Sequence, residues 1–195
     1  MIDSVLIAFA VAWLRGGRIS GWGRFDLKGT EWLFGGFILQ YGTVYLALQE
    51  IPFFVRYGTY LFVGSFLPIL YGAWVSRRLP GMPLIGIGVL LNLIVIAVNG
   101  GSMPVDLRAA EVAGLTRAAE ELARPEYIKH SAAHAGTKLL FLADIIPIPR
   151  PYPRPAVASI GDVVMAAGIF ILVQQAMVMR RPGQGRRRGR SRSLV

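Results

Sequence analysis

The sequence predicts an all-α integral membrane protein with about five transmembrane helices and an external helical, proline-rich segment between the fourth and fifth. Three observations lead to this prediction. Hydrophobic residues make up 54% of the 195 residues and charged residues only 16%, whereas a soluble domain carries about 25% charge. Mean hydropathy is +0.51. Apolar runs near the length of about 20 residues that crosses a bilayer recur along the chain. Together these features exclude an ordinary soluble enzyme and a disordered chain.

Four of the apolar runs carry no charge at their centres. They are Trp32–Leu48, Thr59–Val75, Leu84–Val98 and Ile160–Met179. A fifth, Ile2–Leu14, reaches only about 20 Å as a helix, so whether it fully spans depends on tilt or local thinning of the bilayer. A cleaved signal peptide is the alternative, but its positive charge should precede the apolar run. Here Arg15 and Arg18 follow it, which favours an uncleaved span.

These spans divide the chain into four parts. Residues 1–98 form a four-span membrane bundle, and residues 99–159 form an extracytoplasmic segment. Residues 160–179 form the final span, and residues 180–195 form a basic cytoplasmic tail that is predicted to be disordered. The sequence has no cysteine, so disulfides and thiolate metal sites are excluded.

The basic residues predict the orientation in the membrane. With five spans, 13 of the 21 fall on one side, after the first, third and fifth spans. The positive-inside rule then places the C-terminus in the cytoplasm and the N-terminus outside. The arginine tail is expected to contact anionic lipid headgroups. Nucleic acid is not an expected partner, because no aromatic residue interleaves the arginines for base stacking.

The external segment is predicted to contain two helices and a strap. Apolar spacing favours a helix over Asp106–Ala123, and a second is expected over Glu126–Asp144. Residues 139–146 are apolar but too short to cross, which indicates a re-entrant or interfacial segment; the core of a soluble subdomain is the alternative. The prolines between Asp144 and Pro155 predict a polyproline II strap leading back to the membrane.

Local signals mark the ends of two spans. Ser159 and Asp162 have the spacing of a capping box at the start of the last span. Asn99-Gly100-Gly101 is typical of a helix end with left-handed glycine. Small residues inside the spans should let helices approach closely. They are Gly35, Gly36, Gly64, Gly72, Gly86 and Gly88.

Several polar residues are expected at one membrane depth on the outer face, and they form the candidate interaction or ligand site. They are Asn99, Gly100, Gly101, His134, Asp144 and Asp162. Under the alternative interpretation each has a separate structural role in a cap, a helix end or an ion pair. Within the spans, Gln40 and Asn92 are predicted to make polar contacts with neighbouring helices.

No catalytic residue, metal site or cofactor is assigned. Glu126, His130 and His134 are four residues apart and would share a helix face, a spacing that suits zinc, but no fourth ligand accompanies them. His130 or His134 with Asp144 could form an acid–base pair, yet neither Ser102 nor Ser131 lies in a nucleophile motif. The sequence therefore leaves enzymatic activity open and favours its absence.

Four motifs together resemble an uncharacterised family of small bacterial integral membrane proteins, a domain of unknown function. They are Arg15-Gly16-Gly17, residues 99–104, residues 142–149 and residues 159–163. The resemblance covers residues 1 to about 175 and excludes the arginine tail. It implies a multi-pass protein of the bacterial cytoplasmic membrane, and it implies no activity.

Two functions are compatible with these features. The first is an accessory or interaction subunit of a membrane complex, with membrane lipids and other subunits as its partners. The alternative is a small lipid- or isoprenoid-handling enzyme or carrier whose site lies at the outer leaflet. No Asp, Glu, Lys, Arg or His falls at the centre of the four longer runs, which disfavours a pump or ion-coupled carrier.

Overall fold

The computed structural model describes residues 2–25, 28–122 and 129–178. Every predicted apolar run lies on a helix, and four of the runs agree with the helix bounds to within about two residues. These are α1 (Ile2–Leu14), α2 (Thr30–Leu48), α5 (Met82–Val98) and α8 (Ile160–Val178). The remaining run starts earlier than predicted and consists of α3 (Pro52–Gly64) and α4 (Phe66–Val75). We call α1–α5 and α8 the bundle.

The break between α3 and α4 has a local cause. Pro68 has no N–H to offer the carbonyl of Gly64, and the Ser65 hydroxyl donates to the Phe62 carbonyl at 2.6 Å. Ser65 keeps helical dihedral angles, so the two helices continue each other over the 24 residues Pro52–Val75.

Within the described residues, two helical stretches are long and apolar enough to cross a membrane, namely Pro52–Val75 and Ile160–Val178. Asp3–Leu14 and Met82–Val98 are apolar but shorter. The predicted helical fold class is therefore confirmed. Two helical stretches meet the length that a span needs, and the count of five spans stays a prediction.

Glycines line the seams between packed helices. α5 packs on α8, α8 on α1, and α4 on both α2 and α5. A Cβ atom added to Gly88 would lie 2.8 Å from the Met165 nitrogen, and one added to Gly36 would lie 3.0 Å from the Ser65 carbonyl oxygen. The predicted close approach thus occurs at these positions, but not at Gly35 or Gly64, where an added Cβ would meet nothing within 4 Å.

The segment between α5 and α8 differs from the prediction. The helix expected over Asp106–Ala123 is divided into α6 (Leu107–Val112) and α7 (Ala118–Leu122). The reason is Gly114, whose φ of +85° is left-handed and ends α6 with a bond from the Leu115 N–H to the Ala110 carbonyl at 2.9 Å.

The second expected helix is also corrected. In the described part, residues 129–144, the chain forms a strand and a 3₁₀ turn, Leu140–Leu142; Glu126 lies outside the described residues. The strand β2 (His130–Ala132) pairs in parallel with β1 (Met103–Val105), and this long-range pairing replaces helical hydrogen bonds. Residues 139–146 therefore do not form the expected α-helix, and their entry into the membrane or its interface stays a prediction.

The proline-rich strap is a hairpin. β3 (Ile146–Ile148) pairs in antiparallel fashion with β4 (Ala156–Ala158). Pro147 is tolerated because β3 lies at a sheet edge, where one side needs no N–H donor. We call residues 99–122 and 129–159 the cap. The basic tail and Met179 lie outside the described residues.

Candidate functional site

A cavity of about 720 Å³ lies between the bundle and the cap. Apolar side chains of α2, α3, α4, α5 and α8 line part of it, namely Phe37, Phe62, Phe66, Ile69, Val89, Ile96 and Met165. Polar and charged side chains also line it, from the helices as well as from the cap. A space with both apolar and polar lining suits an amphipathic molecule.

At the junction of α5 and α8, a hydrogen-bond network fixes one carboxylate of the cavity. Asn92 Nδ2 donates to Asp162 Oδ1 at 3.0 Å, and Ser159 Oγ donates to Asn92 Oδ1 at 3.0 Å. Asp162 and Ser159 also form a reciprocal capping box, with bonds of 2.9 Å and 3.2 Å between backbone and side chain. A Cβ at Gly161 would overlap Asn92 Oδ1, so glycine is what lets Asn92 reach this network.

A second carboxylate, Asp144, reaches the cavity from the cap. Its backbone is anchored by a bond from its N–H to the Pro104 carbonyl at 3.0 Å and by a bond from the Asp106 N–H to its own carbonyl at 2.9 Å. Its side chain is buried, with Oδ2 3.4 Å from His130 Nε2. Asp144 Oδ1 is buried and receives no hydrogen bond from any described part of the chain.

Burial raises the pKa of the Asp144 carboxyl, because the charged form loses solvation. The hydrogen bond and charge of His130 oppose this shift, the negative charge of Asp162 adds to it, and Lys129 lowers it. The two carboxylates and Lys129 are thus near enough to influence one another across the cavity.

Cationic side chains line the cavity as well. Lys129 Nζ lies 5.9 Å from the centre of the Tyr41 ring, and Arg117 also lines the space. Arg154 Nη2 is 3.0 Å from Asp3 Oδ1, an ion pair that joins the tip of the β3–β4 hairpin to the first turn of α1. The polar region therefore carries both signs of charge.

The cavity includes some of the predicted site residues and not others. Asp144 and Asp162 line it together with Gln40 and Asn92, which the sequence predicted only as contacts between helices. The lining does not include Asn99, Gly100, Gly101 or His134. The outer-face residues that the sequence predicted as one site therefore do not all meet at this cavity.

The residues left out have separate structural roles. Asn99 Nδ2 donates to the carbonyls of Val95 and Lys138 at 2.9 and 2.8 Å, and its Oδ1 accepts from the Lys138 N–H at 2.9 Å. Gly100 and Gly101 have φ of +76° and +93° and end α5. His134 is exposed and accepts a bond from the Gly136 N–H at 3.1 Å, which stabilises a local turn.

Sequence reasoning considered His130 as a partner of Asp144 but left it out of the candidate site, and it missed the cavity-lining Lys129. The predicted helix would have placed His130 one turn before His134, whereas the strand pairing of β1 and β2 places it beside Asp144. Residues 130–134 do not form that helix face. His130 and His134 therefore do not have the arrangement on a helix that would suit zinc. A glutamine and a tyrosine in the middle of α2, Gln40 and Tyr41, were the available signal for a polar cavity.

Comparison with known proteins gives a family and no activity. An uncharacterised protein of Thermotoga maritima is 32% identical over 172 residues, which is 88% of each chain. No solved structure matches the chain. The model of a family of unknown function, DUF5317, matches residues 24–174. The match begins after the Arg15-Gly16-Gly17 motif and includes the other three that carried the resemblance. The chain therefore belongs to the DUF5317 family.

Proposed function

We propose that this protein spans the bacterial cytoplasmic membrane and binds a lipid-like amphipathic molecule in the cavity between the bundle and the cap. The observation that carries the proposal is the cavity itself, which apolar side chains of the helices and charged side chains of both regions line together. The accessory-subunit function, which the sequence favoured over lipid handling, has no comparable feature to support it among the described residues.

The surface of the bundle supports membrane insertion. Only 28% of the apolar window in Pro52–Val75 is buried, and 39% of that in Ile160–Val178. The core helix of a soluble protein would be mostly buried, so these helices present apolar side chains outward. Ile38, Tyr60 and Leu67 are 73%, 77% and 65% exposed, a pattern that suits contact with lipid chains.

Positive charge at one end of the bundle supports the orientation. Arg15 follows α1, and Arg77 follows α4. The hydroxyl of Ser76 donates to the Lys28 carbonyl at 2.8 Å, and the Arg18 N–H donates to the Met177 carbonyl at 2.9 Å. These basic segments therefore gather at one end, opposite the cap, as the positive-inside rule requires for a cytoplasmic face.

This orientation places the cap and the cavity at the outer leaflet. A lipid could pack its chain against Phe66, Val89 and Met165 while its headgroup contacts Asp144 and Asp162. Because the interior of the bilayer is as apolar as this part of the lining, contacts of the headgroup would supply more of the affinity than burial of the chain.

The ligand test is native mass spectrometry of the full chain after mild purification. The wild-type protein should retain a molecule of lipid mass. Val89→Phe, which fills part of the cavity, should retain less of it. Leu90→Phe is the matched control, because Leu90 is the next residue on α5, is 45% exposed and does not line the cavity. Retention of protein subunits in place of lipid would favour the accessory-subunit function and contradict the proposal.

The absence of cysteine in the sequence permits a clean topology test. In intact cells, a membrane-impermeant maleimide should label Ala135→Cys in the cap. Ser20→Cys, at the opposite end, should react only after lysis. Both native residues are exposed. Labelling in the reverse order would contradict the proposed orientation.

A further inference from the structure

We propose that the ligand of the cavity is a zwitterionic phospholipid whose headgroup carries a primary ammonium next to its phosphate, as ethanolamine phospholipids do. This inference rests on the proposed function and specifies the chemistry of the same site. It follows from the charged side chains that line the cavity.

Among the described residues four carboxylates line the cavity, those of Asp3, Glu121, Asp144 and Asp162, and the last two define one half of the headgroup site. Asp162 comes from the first turn of α8 and is held by Asn92 and the Ser159 N–H. Asp144 comes from the cap, is 4% exposed and has an oxygen that no described residue hydrogen-bonds. The negative charges of Asp144 and Asp162 repel each other, and a cation near both would relieve that repulsion.

A primary ammonium satisfies these carboxylates better than other cations found on phospholipids. It has three N–H donors, and carboxylates are acceptors only. Charge-assisted hydrogen bonds of this kind are shorter and stronger than neutral ones. A choline headgroup has no N–H and leaves the acceptors unsatisfied.

The cationic residues of the cap define the other half. Lys129 and Arg117 line the cavity. The positive charge of Lys129 acts on the Asp144 carboxyl, so a cation and a carboxylate lie near each other in the cavity lining. In an ethanolamine headgroup, the phosphate and the ammonium are separated by two carbons, and the two can contact neighbouring sites of opposite sign.

An anionic lipid fits this arrangement less well. Its headgroup would bring net negative charge to Asp144 and Asp162 in a partly desolvated space, where like charges are strongly unfavourable. The phosphate of a glycerol phospholipid, which has a net charge of −1, can pair with the cations. Its negative charge is nevertheless repelled by both carboxylates. The mixed lining therefore selects a headgroup that itself carries both signs.

The experiment measures binding of three phospholipids with identical acyl chains to the full-length protein by native mass spectrometry. The headgroups are ethanolamine, glycerol and choline. The wild-type protein should prefer ethanolamine over both others by at least about tenfold, the equivalent of one charge-assisted hydrogen bond. Asp144→Asn should abolish most of this preference. Glu111→Gln, an exposed cap residue outside the cavity, should leave it unchanged.

Lys129→Gln provides a second readout. It should weaken binding of all three phospholipids, because each has a phosphate, and should leave the ratio of ethanolamine to choline unchanged. If the wild-type protein binds the three lipids equally or prefers the glycerol headgroup, the inference is overturned while the lipid-binding function stands. If it binds no phospholipid, both are overturned. If Asp144→Asn keeps the full preference in a folded protein, the carboxylate assignment is wrong.

Discussion

The bundle and the cap are held together by different interactions. In the bundle, backbone hydrogen bonds are satisfied within each helix, and the seams depend on how closely two helices approach at glycines such as Gly36 and Gly88. In the cap, backbone bonds join segments far apart in the sequence. Met103 N–H donates to Lys129, and Asp144 N–H donates to Pro104.

This difference predicts which changes each region tolerates. Side-chain size should decide the stability of the bundle, because membrane helices associate mainly through packing. Polar contacts should decide the order of the cap, because its short strands bury few large side chains. The cavity lies where the two regions meet, so the lining from the bundle depends on packing and the lining from the cap on polar anchoring.

The largest effect is expected from Gly88→Ala in the α5–α8 seam. The added methyl would crowd backbone atoms of Gly161 and Met165, and backbone cannot move aside as a flexible side chain can. Overpacking costs about 1–3 kcal/mol, and we expect the upper end of that range. Thermal unfolding of the purified protein in detergent measures it.

Gly86→Ala is the matched control on the same helix. There an added Cβ would meet only the Cβ of Ala73, at 3.4 Å, so stability should change little. Equal melting temperatures for the two variants would show that the α5–α8 seam is looser than its glycines indicate.

The next effect is expected where the cap is tied to the bundle. Asn99→Ala removes three hydrogen bonds, two of them to the backbone of Lys138. These bonds are partly solvent-exposed, so we expect a loss of about 1 kcal/mol in local stability. Amide hydrogen exchange over residues 137–142 should accelerate while α5 and α8 remain protected.

His134→Ala serves as the control, because the His134 side chain accepts only a bond from the nearby Gly136 N–H. It should leave exchange at Lys138 unchanged. Uniformly faster exchange in both bundle and cap of Asn99→Ala would contradict the separation of the two regions.

The same contrast explains how much of the molecule the sequence could predict. α1 and α5 were predicted almost to the residue, because a run of apolar side chains bounded by charge or Gly-Gly specifies a membrane helix locally. The capping box of Ser159 and Asp162 was equally local. Hydrogen bonds over three residues can be inferred from spacing alone.

The cap could not be predicted in this way. The parallel pairing of β1 with β2 joins Met103 to His130 across 27 positions, and no local pattern in either segment specifies it. Gly114 could have indicated the end of α6. The helical spacing of the leucines around Gly114 instead favoured one longer helix. The misplaced second helix then made His134, rather than His130, the expected partner in the site.

A smaller effect concerns pH and Asp144. Burial raises the pKa of this carboxyl in the folded protein above its ordinary value of 3.8. The native state therefore binds the proton more tightly than the unfolded state, and stability falls as pH rises from about 4 through the folded pKa. Asp144→Asn removes this component, so its unfolding free energy should depend less on pH over that window.

Chemical or thermal unfolding in detergent at a series of pH values tests this prediction, with Asp106→Asn as the control. Asp106 caps α6 through the Arg108 N–H at 2.9 Å and lies outside the cavity lining. If wild type and Asp144→Asn have parallel pH profiles, the Asp144 carboxyl is not destabilised by burial.

The smallest effect is expected from the ion pair that links the two regions, between Arg154 of the hairpin and Asp3 of α1. The Arg154 side chain is 61% exposed, so solvent screens the pair, and exposed pairs contribute about 0–1 kcal/mol. Asp3 also stands in the positive first turn of α1, which adds a separate charge–dipole effect when it is replaced. A double-mutant cycle of Asp3→Asn and Arg154→Gln isolates the pair from that effect. The coupling energy should lie below about 0.5 kcal/mol and vanish in 1 M salt, where the screening length is only about 3 Å. A salt-resistant coupling above about 1 kcal/mol would mean that the hairpin and α1 are locked together, and the bundle and the cap would then unfold as one unit.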